Sequence, residues 1–313
     1  MISLIQLEYI VAVDTYRHFA TAAEKCFVTQ PTLSMQIKKL EDQLDLIIFD
    51  RTKQPVIPTE QGKKIIEQAR IVLQEAKKID QIVKDVKNDI SGDLRIAVIP
   101  TIAPYLLPLF TGAFKRKFPG IKLKVEEMVT EKIVENLEKD LLDAGILVTP
   151  LHEKQILEKP LFYEEMLIYS NKNHPLVKKS KIKVSDIATS EIWLLNDGHC
   201  FRHQIVNLCD LHELESDDLP FEFEGGSLET LMRIIDKEGG YTLIPELAEL
   251  FVPEGRKSQI RHFSNIVPLR EVSLVYTRRF AKTTLIEKLA DSVIQTIPQH
   301  LLKKERGTIV EWK

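Results

Sequence analysis

The sequence predicts a multidomain α+β and α/β chain: an N-terminal winged helix-turn-helix, a long coiled-coil linker helix and a two-lobed α/β domain. Three observations carry this. The first sixty residues run helix, short helix, turn, longer helix, strand pair. A regular 3.5-residue apolar period comes next. Strands then alternate with helices to the end of the chain.

The bulk numbers narrow the classes. At 44% hydrophobic and 28% charged, the 313 residues have an ordinary globular composition. No apolar run reaches the roughly 18 residues of a membrane span, and Met1 to Gln6 lacks a secretory pattern. A cytoplasmic protein without membrane contact is expected, with thiols that start reduced. Net charge is −3. Residues 1–60 carry six Lys/Arg against eight Asp/Glu, and residues 61–88 carry seven against four. Neither block has the excess of a non-specific nucleic-acid binder, so any DNA binding rests on a motif.

That motif begins with Ile5 to Tyr16, where Leu7, Ile10, Val11 and Val13 recur as an apolar stripe. Thr21–Lys25 is a short Ala-rich helix, and Cys26–Thr29 is a turn with Cys26 as a small buried residue. Gln30 to Leu44 is the longer helix, with Thr29 as N-cap and Pro31 tolerated in the first turn. Leu33, Ile37, Leu40 and Leu44 face its core. Gln30, Pro31, Thr32, Ser34, Gln36, Lys38 and Lys39 remain as a face that could meet base edges and phosphates in a major groove. Ile47–Phe49 and Val56–Ile57 read as a wing, with Arg51 and Lys53 at its tip to hold the DNA backbone. A plain helical pair with a solvated face is the alternative; the wing weighs against it.

After Gly62, the residues Ile65, Ala69, Val72, Ala76, Ile79, Val83 and Val86 step by four and three. That period indicates a two-stranded coiled coil, against a helix packed on its own domain. A homodimer would present two recognition helices to a palindromic target. Asn88–Gly92 is the expected linker. Beyond it come strands at Leu94–Ile99, Ile121–Glu126, Gly145–Val148, Glu165–Tyr169, Tyr241–Ile244 and Val272–Tyr276. Helices are expected at Leu106–Lys117, Thr130–Lys139, Leu228–Asp236 and Thr284–Ile297. Such alternation predicts parallel sheets in two lobes with a ligand-binding cleft.

Cys200 and Cys209 stand at the two ends of a further helical stretch, in which Phe201, Ile205 and Leu208 recur. Nine residues of helix separate their Cα atoms by roughly 13 Å. A disulfide needs about 7 Å or less. The two thiols can join only if the segment refolds. Asp197-Gly198 marks a turn, placing Cys200 in a first helical turn beside His199, Arg202 and His203. A helix N-terminus and nearby cations would favour a reactive thiolate. Two inert buried thiols are the alternative, and a solvent-facing residue is the better reading of His203. No zinc spacing, catalytic triad or phosphate loop is evident, and neither a cofactor nor a metal is expected.

Ala20 to Glu41, extending through Phe49-Asp-Arg51, resembles the LysR-type transcriptional regulators, and the likeness covers essentially the whole chain. Ile99 to Pro108, Asp197-Gly-His-Cys200 with Cys209, and Ser227 to Leu231 are similar to the family's hydrogen-peroxide-sensing branch. The resemblance implies a periplasmic-binding-protein-like regulatory domain behind the DNA-binding domain. The expected limits are 1–59 for the winged helix-turn-helix and 60–88 for the dimerisation helix. Lobe I would span 92–163 and 268–300, and lobe II 164–267.

It further implies that Cys200 is the peroxidatic cysteine and Cys209 its resolving partner, joined reversibly to control oxidative-stress genes. Thr101, Thr130 and His199 would line the peroxide pocket or orient its water, where an ordinary helix cap or strand-end residue is the alternative for each threonine. A pocket arginine is expected near the end of a late strand, where Arg278 and Arg279 compete. Arg278 is the nearer candidate, with a solvated surface arginine as the alternative. The acidic stretch Asp210–Glu224 reads as a solvated loop. A homodimer that assembles to a tetramer, and contact with RNA polymerase, are implied as well. Two other readings remain: a LysR-type regulator whose cleft binds a small organic effector, and a thiol peroxidase.

Overall fold

The computed structural model describes residues 1–86, 90–180, 182–187, 191–211, 226–277 and 282–312. It divides into two compact units, one ending at Asp89 and one starting at Ile90.

The first unit opens with α1 (Leu4–Tyr16), α2 (Phe19–Lys25) and α3 (Gln30–Leu44). Ser3 and Gln6 form a reciprocal capping box that starts α1. Thr29 caps α3 by accepting from the Thr32 amide at 3.4 Å. The wing strands β1 (Phe49–Asp50) and β2 (Ile57–Pro58) pair antiparallel, shifted slightly toward the C-terminus from the expected spans. Glu41 sets the wing, because its carboxylate accepts from the amides of Ile48 at 2.8 Å and Phe49 at 3.2 Å.

The long helix α4 (Glu60–Val86) starts tightly against the wing, where a Cβ at Gly62 would come within 2.1 Å of the Ile48 carbonyl oxygen. Ile66 and Ala69 are buried in the same core as Ile10, Val13, Leu33, Ile37 and Leu40. Arg70 pairs with Asp14 at 2.9 Å. The apolar repeat therefore divides. Ile65 and Ala69 pack on their own domain, whereas Val72, Ile79 and Val83 are exposed.

The second unit contains β3 (Gly92–Val98), α5 (Ala103–Lys117), β4 (Ile121–Glu127), α6 (Thr130–Glu138) and β5 (Ala144–Thr149). Next along the chain are β6 (Ile156–Ser170), α7 (Pro175–Lys178), α8 (Cys200–Cys209) and α9 (Leu228–Glu238). The chain closes with β7 (Tyr241–Pro245), α10 (Glu246–Glu249), β8 (Ile260–Arg261), β9 (Pro268–Thr277), α11 (Thr283–Thr296) and β10 (Thr308–Ile309). Asn88 and Asp89 of the expected linker lie outside the described residues, and Gly92 belongs to β3.

The sheet runs β4-β3-β5-β9-β6-β7, with β10 on β9 and β8 on β6. β3, β4 and β5 are parallel, as their intervening helices require. β9 lies antiparallel to both β5 and β6, and β7 lies antiparallel to β6. The expectation of parallel sheets holds for β3, β4 and β5 and is corrected for β6, β7 and β9. β9 comes from late in the chain and inserts between two earlier strands, which local alternation cannot register. β6 is one 15-residue strand that pairs with β9 along its first part and with β7 along its last.

Candidate functional site

Three helix N-termini place the site. Thr101 precedes α5, Thr130 is the first residue of α6, and Cys200 is the first residue of α8. All three are buried, as is His199, the N-cap of α8. The turn that delivers Cys200 uses Gly198 at φ +90, in the left-handed region that favours glycine. Gly226 lies against His199, where a Cβ would meet the ring Nε2 at 2.7 Å.

The dominant charge at this site is one that the sequence reading missed. Arg270 on β9 is fully buried, opposite Glu164 on β6 in the strand register. Its Nε is 3.0 Å from Glu164 Oε1, an ion contact without hydrogen-bond geometry. Its Nη2 donates to Thr101 Oγ1 at 3.3 Å, and its guanidinium carbon stands 4.7 Å from the centre of the Phe201 ring. Nη1 of Arg270 and Oγ1 of Thr130 are buried and make no hydrogen bond of standard geometry. Buried polar groups normally find a partner, so these two mark a place where a small polar molecule would be held.

The expected set of activating cations is corrected. Arg202 pairs with Asp197 at 2.8 Å and donates to the Leu195 carbonyl at 3.1 Å. Burial lowers the His199 pKa, so its ring is neutral near pH 7. Burial also pushes the Cys200 thiol up, contrary to the expected thiolate. Arg270, the Thr130 hydroxyl and the Phe201 amide pull the other way. Cys209, half-buried at the far end of α8, is pushed up to about 12 by burial alone. Cys26 is half-buried in the first unit rather than fully enclosed, and its pKa is also raised by burial. All three thiols are free.

Arg278 lies outside the described residues, as does the acidic stretch from residue 212 through 224. Arg270 had a signal in the sequence. Arg270-Glu271 is a charged pair beside the apolar positions Leu269, Val272 and Leu274. Starting that strand at Val272 left the arginine in an apparent loop.

In the first unit, α3 buries Leu33, Ile37 and Leu40 and exposes Gln30, Pro31, Lys38 and Lys39, with Thr32, Ser34 and Gln36 half-buried. Met35 on this face is also exposed and was not singled out from the sequence. Thr32 shares a hydroxyl contact with Thr29 at 2.8 Å. Arg51 binds Glu41 at 2.9 Å and Ser34 at 3.2 Å and stacks on Phe19, pinning the wing to α3. Lys53 is exposed.

Comparison with known proteins agrees with both halves of this picture. Residues 4–63 match the bacterial regulatory helix-turn-helix protein, lysR family, and residues 87–297 match the LysR substrate binding domain. A hydrogen peroxide-inducible genes activator of Haemophilus influenzae is 35% identical across 92% of this chain and 94% of its own length. The DNA-binding transcriptional dual regulator OxyR of Escherichia coli is 34% identical across 95% and 96%. A variant of full-length OxyR from Pseudomonas aeruginosa superposes with a TM-score of 0.82 at 33% identity, covering 98% of this chain and 99% of that one. A hydrogen-peroxide-bound mutant of Corynebacterium glutamicum OxyR gives 0.60 at 25% identity, covering 94% and 92%. A helix-turn-helix in the first unit and a buried thiol beside a buried arginine in the second thus belong to a chain of the LysR family, within its peroxide-sensing OxyR group.

Proposed function

We propose that this peroxide-sensing DNA-binding regulator is switched by a reversible disulfide between Cys200 and Cys209. The observation that carries the reading is the pocket at the start of α8. There a buried thiol faces Arg270, whose Nη1 has no hydrogen-bond partner, and the Thr130 hydroxyl, which makes no hydrogen bond of standard geometry. Peroxide has two oxygens that accept and donate, and it matches such a pair of groups better than an apolar effector does. Thr101, Thr130, His199 and Arg270 are assigned to this pocket; Arg278 is not needed for it.

The Cys200 thiol first loses its proton, aided by the Arg270 charge and the Thr130 hydroxyl. The thiolate sulfur attacks one peroxide oxygen, the O–O bond breaks, and a sulfenic acid forms as hydroxide leaves. Arg270 and the threonine hydroxyls stabilise the negative charge on that departing oxygen. The Cys209 sulfur then displaces the sulfenic hydroxyl, and the S–S bond closes as water leaves. Two thiols are oxidised by two electrons in total, and one peroxide becomes two waters. Because α8 holds the two Cα atoms roughly 13 Å apart, the second step requires residues 201–208 to leave the helix.

We assign the rest of the chain in the same frame. Residues 1–59 form the winged helix-turn-helix, and 60–88 pair with a second copy as a coiled coil through Val72, Ile79 and Val83. Residues 92–163 with 268–300 form lobe I, and 164–267 form lobe II, in a periplasmic-binding-protein-like arrangement. Gln30, Pro31, Thr32, Ser34, Gln36, Lys38 and Lys39 face a palindromic operator, with Lys53 on its backbone. Arg51 meets a phosphate only to the extent that Glu41 releases it. Dimers assemble to tetramers in the cytoplasm, where the DNA is, and recruit RNA polymerase.

The test is peptide mass mapping before and after about one equivalent of hydrogen peroxide, without reductant, because selective oxidation marks a reactive thiol. A Cys200–Cys209 link with Cys26 unmodified is expected. Free thiols throughout would overturn the reading and leave an organic effector in the cleft as the signal.

A further inference from the structure

The LysR substrate-binding match ends at residue 297. Residues 298–312 lie beyond that match, and Val310 and Glu311 among them contact the thiol helix. Two 3-10 turns, Gln299–Leu302 and Lys304–Arg306, lead to β10. His300 and Arg306 anchor this stretch on Glu246, at 3.0 Å and 2.6 Å. Gly307 passes so close to the Val267 carbonyl that a Cβ there would lie 2.2 Å from it. β10 then pairs in parallel with the start of β9, Thr308 opposite Pro268 and Ile309 opposite Leu269. The amides of Thr308 and Val310 donate to Val267 and Leu269 at 2.9 Å and 2.8 Å. This attachment ends one residue before Arg270.

From that strand the chain reaches α8. The fully buried Gln204 donates from Nε2 to the Val310 carbonyl at 2.7 Å, and Asn207 donates from Nδ2 to the Glu311 carbonyl at 2.9 Å. Trp312 is buried beyond them. Gln204 and Asn207 are three residues apart, so they share one face only while the segment is helical. Both lie within the stretch that must leave the helix before Cys209 can reach Cys200.

We propose that residues 308–312 form a latch on the redox helix, clamping α8 in the dithiol form and coming undone when the Cys200–Cys209 disulfide forms. The latch rests on the disulfide switch proposed for these two cysteines. It stabilises only the reduced state, because its two side-chain donors belong to a helix that the disulfide forbids. Gln204 and Asn207 are positioning residues: they touch neither peroxide nor the reacting sulfurs. Removing the latch destabilises the dithiol and makes the disulfide harder to reduce.

The full-length protein is equilibrated in graded mixtures of reduced and oxidised dithiothreitol, where each disulfide reduced is matched by one dithiothreitol oxidised. Thiols are then trapped by alkylation and the Cys200–Cys209 peptide is weighed. In a chain ended after Ile309, the equilibrium constant shifts about tenfold toward the disulfide, which is roughly 30 mV for this two-electron couple. Asn207→Ala removes one exposed hydrogen bond and carries the test should the shortened chain fail to fold; its expected shift is about threefold in the same direction. In wild type, the Val310 amide loses hydrogen-exchange protection on oxidation. Equal equilibria in wild type and both variants, with Val310 equally protected in both redox states, would overturn the latch. A wild type that forms no Cys200–Cys209 link at any ratio overturns the disulfide reading itself, and the latch with it.

Discussion

Arg270 is held at zero exposure by a carboxylate, a threonine hydroxyl and an aromatic ring, and this arrangement separates its two contributions. Arg270→Met leaves Glu164 buried and unpaired, which costs about 3–5 kcal/mol. Replacing both partners by Met recovers most of that, because an apolar pair carries no desolvation penalty. The peroxide rate is expected to stay down about 100-fold in both variants, the scale of one lost oxyanion donor. Denaturant unfolding beside stopped-flow oxidation separates the two; a double variant that oxidises at the wild-type rate would remove Arg270 from the chemistry. The pH response comes from Cys200 itself. Burial raises its pKa, so the thiolate fraction is small at neutral pH and grows as pH rises through and beyond the ordinary thiol range. The oxidation rate should climb with pH without levelling off below about 8.5, the free-thiol value. A plateau already complete at pH 6 would mean that Arg270 and Thr130 outweigh burial.

At the scale of elements, the wing and the long helix invite opposite experiments. Glu41 accepts from two wing amides and binds Arg51, so Glu41→Ala strands three donors at once. A loss of about 1–3 kcal/mol is expected from unfolding of the first unit, with DNA affinity falling as the wing loosens. On α4, Ile79 is 64% exposed and Val83 is 47% exposed, apolar area that an isolated helix gains nothing by displaying. Ile79→Glu with Val83→Glu places charge in the proposed seam while leaving Ile66 and Ala69 in their own core. Sedimentation should show smaller assemblies for this variant, with an unchanged thermal transition for the first unit. Unchanged mass would return α4 to the status of a helix that serves only its own domain.

For the whole molecule, the sequence was most informative where the signal is local. The order of helices and wing in the first unit comes from 3.6-residue periodicity, caps and turns, and α8 comes from Phe201, Ile205 and Leu208. What escaped was assembled over long range. β9 inserts between β5 and β6, β6 runs far longer than its apolar stretch suggests, and Arg270 acts on Cys200 from β9, far along the chain. No window of neighbouring residues carries those distances. The same limit applies to charge. At a net −3, the chain has no global attraction for DNA, so affinity depends on α3 and, in the proposed dimer, on the spacing of its two copies. Half-sites should fall about one helical turn apart, or a multiple of it. Under the proposed disulfide switch in a homodimer, refolding of α8 in each copy would change what the second units present to one another and would shift the first units to different turns of the duplex. Hydroxyl-radical footprints of reduced and oxidised protein on one operator are therefore expected to differ in the spacing of protected segments. Cys200→Ser should keep the reduced pattern in the presence of peroxide. Superimposable wild-type footprints in the two states would exclude repositioning on DNA as the means by which the thiols are read out.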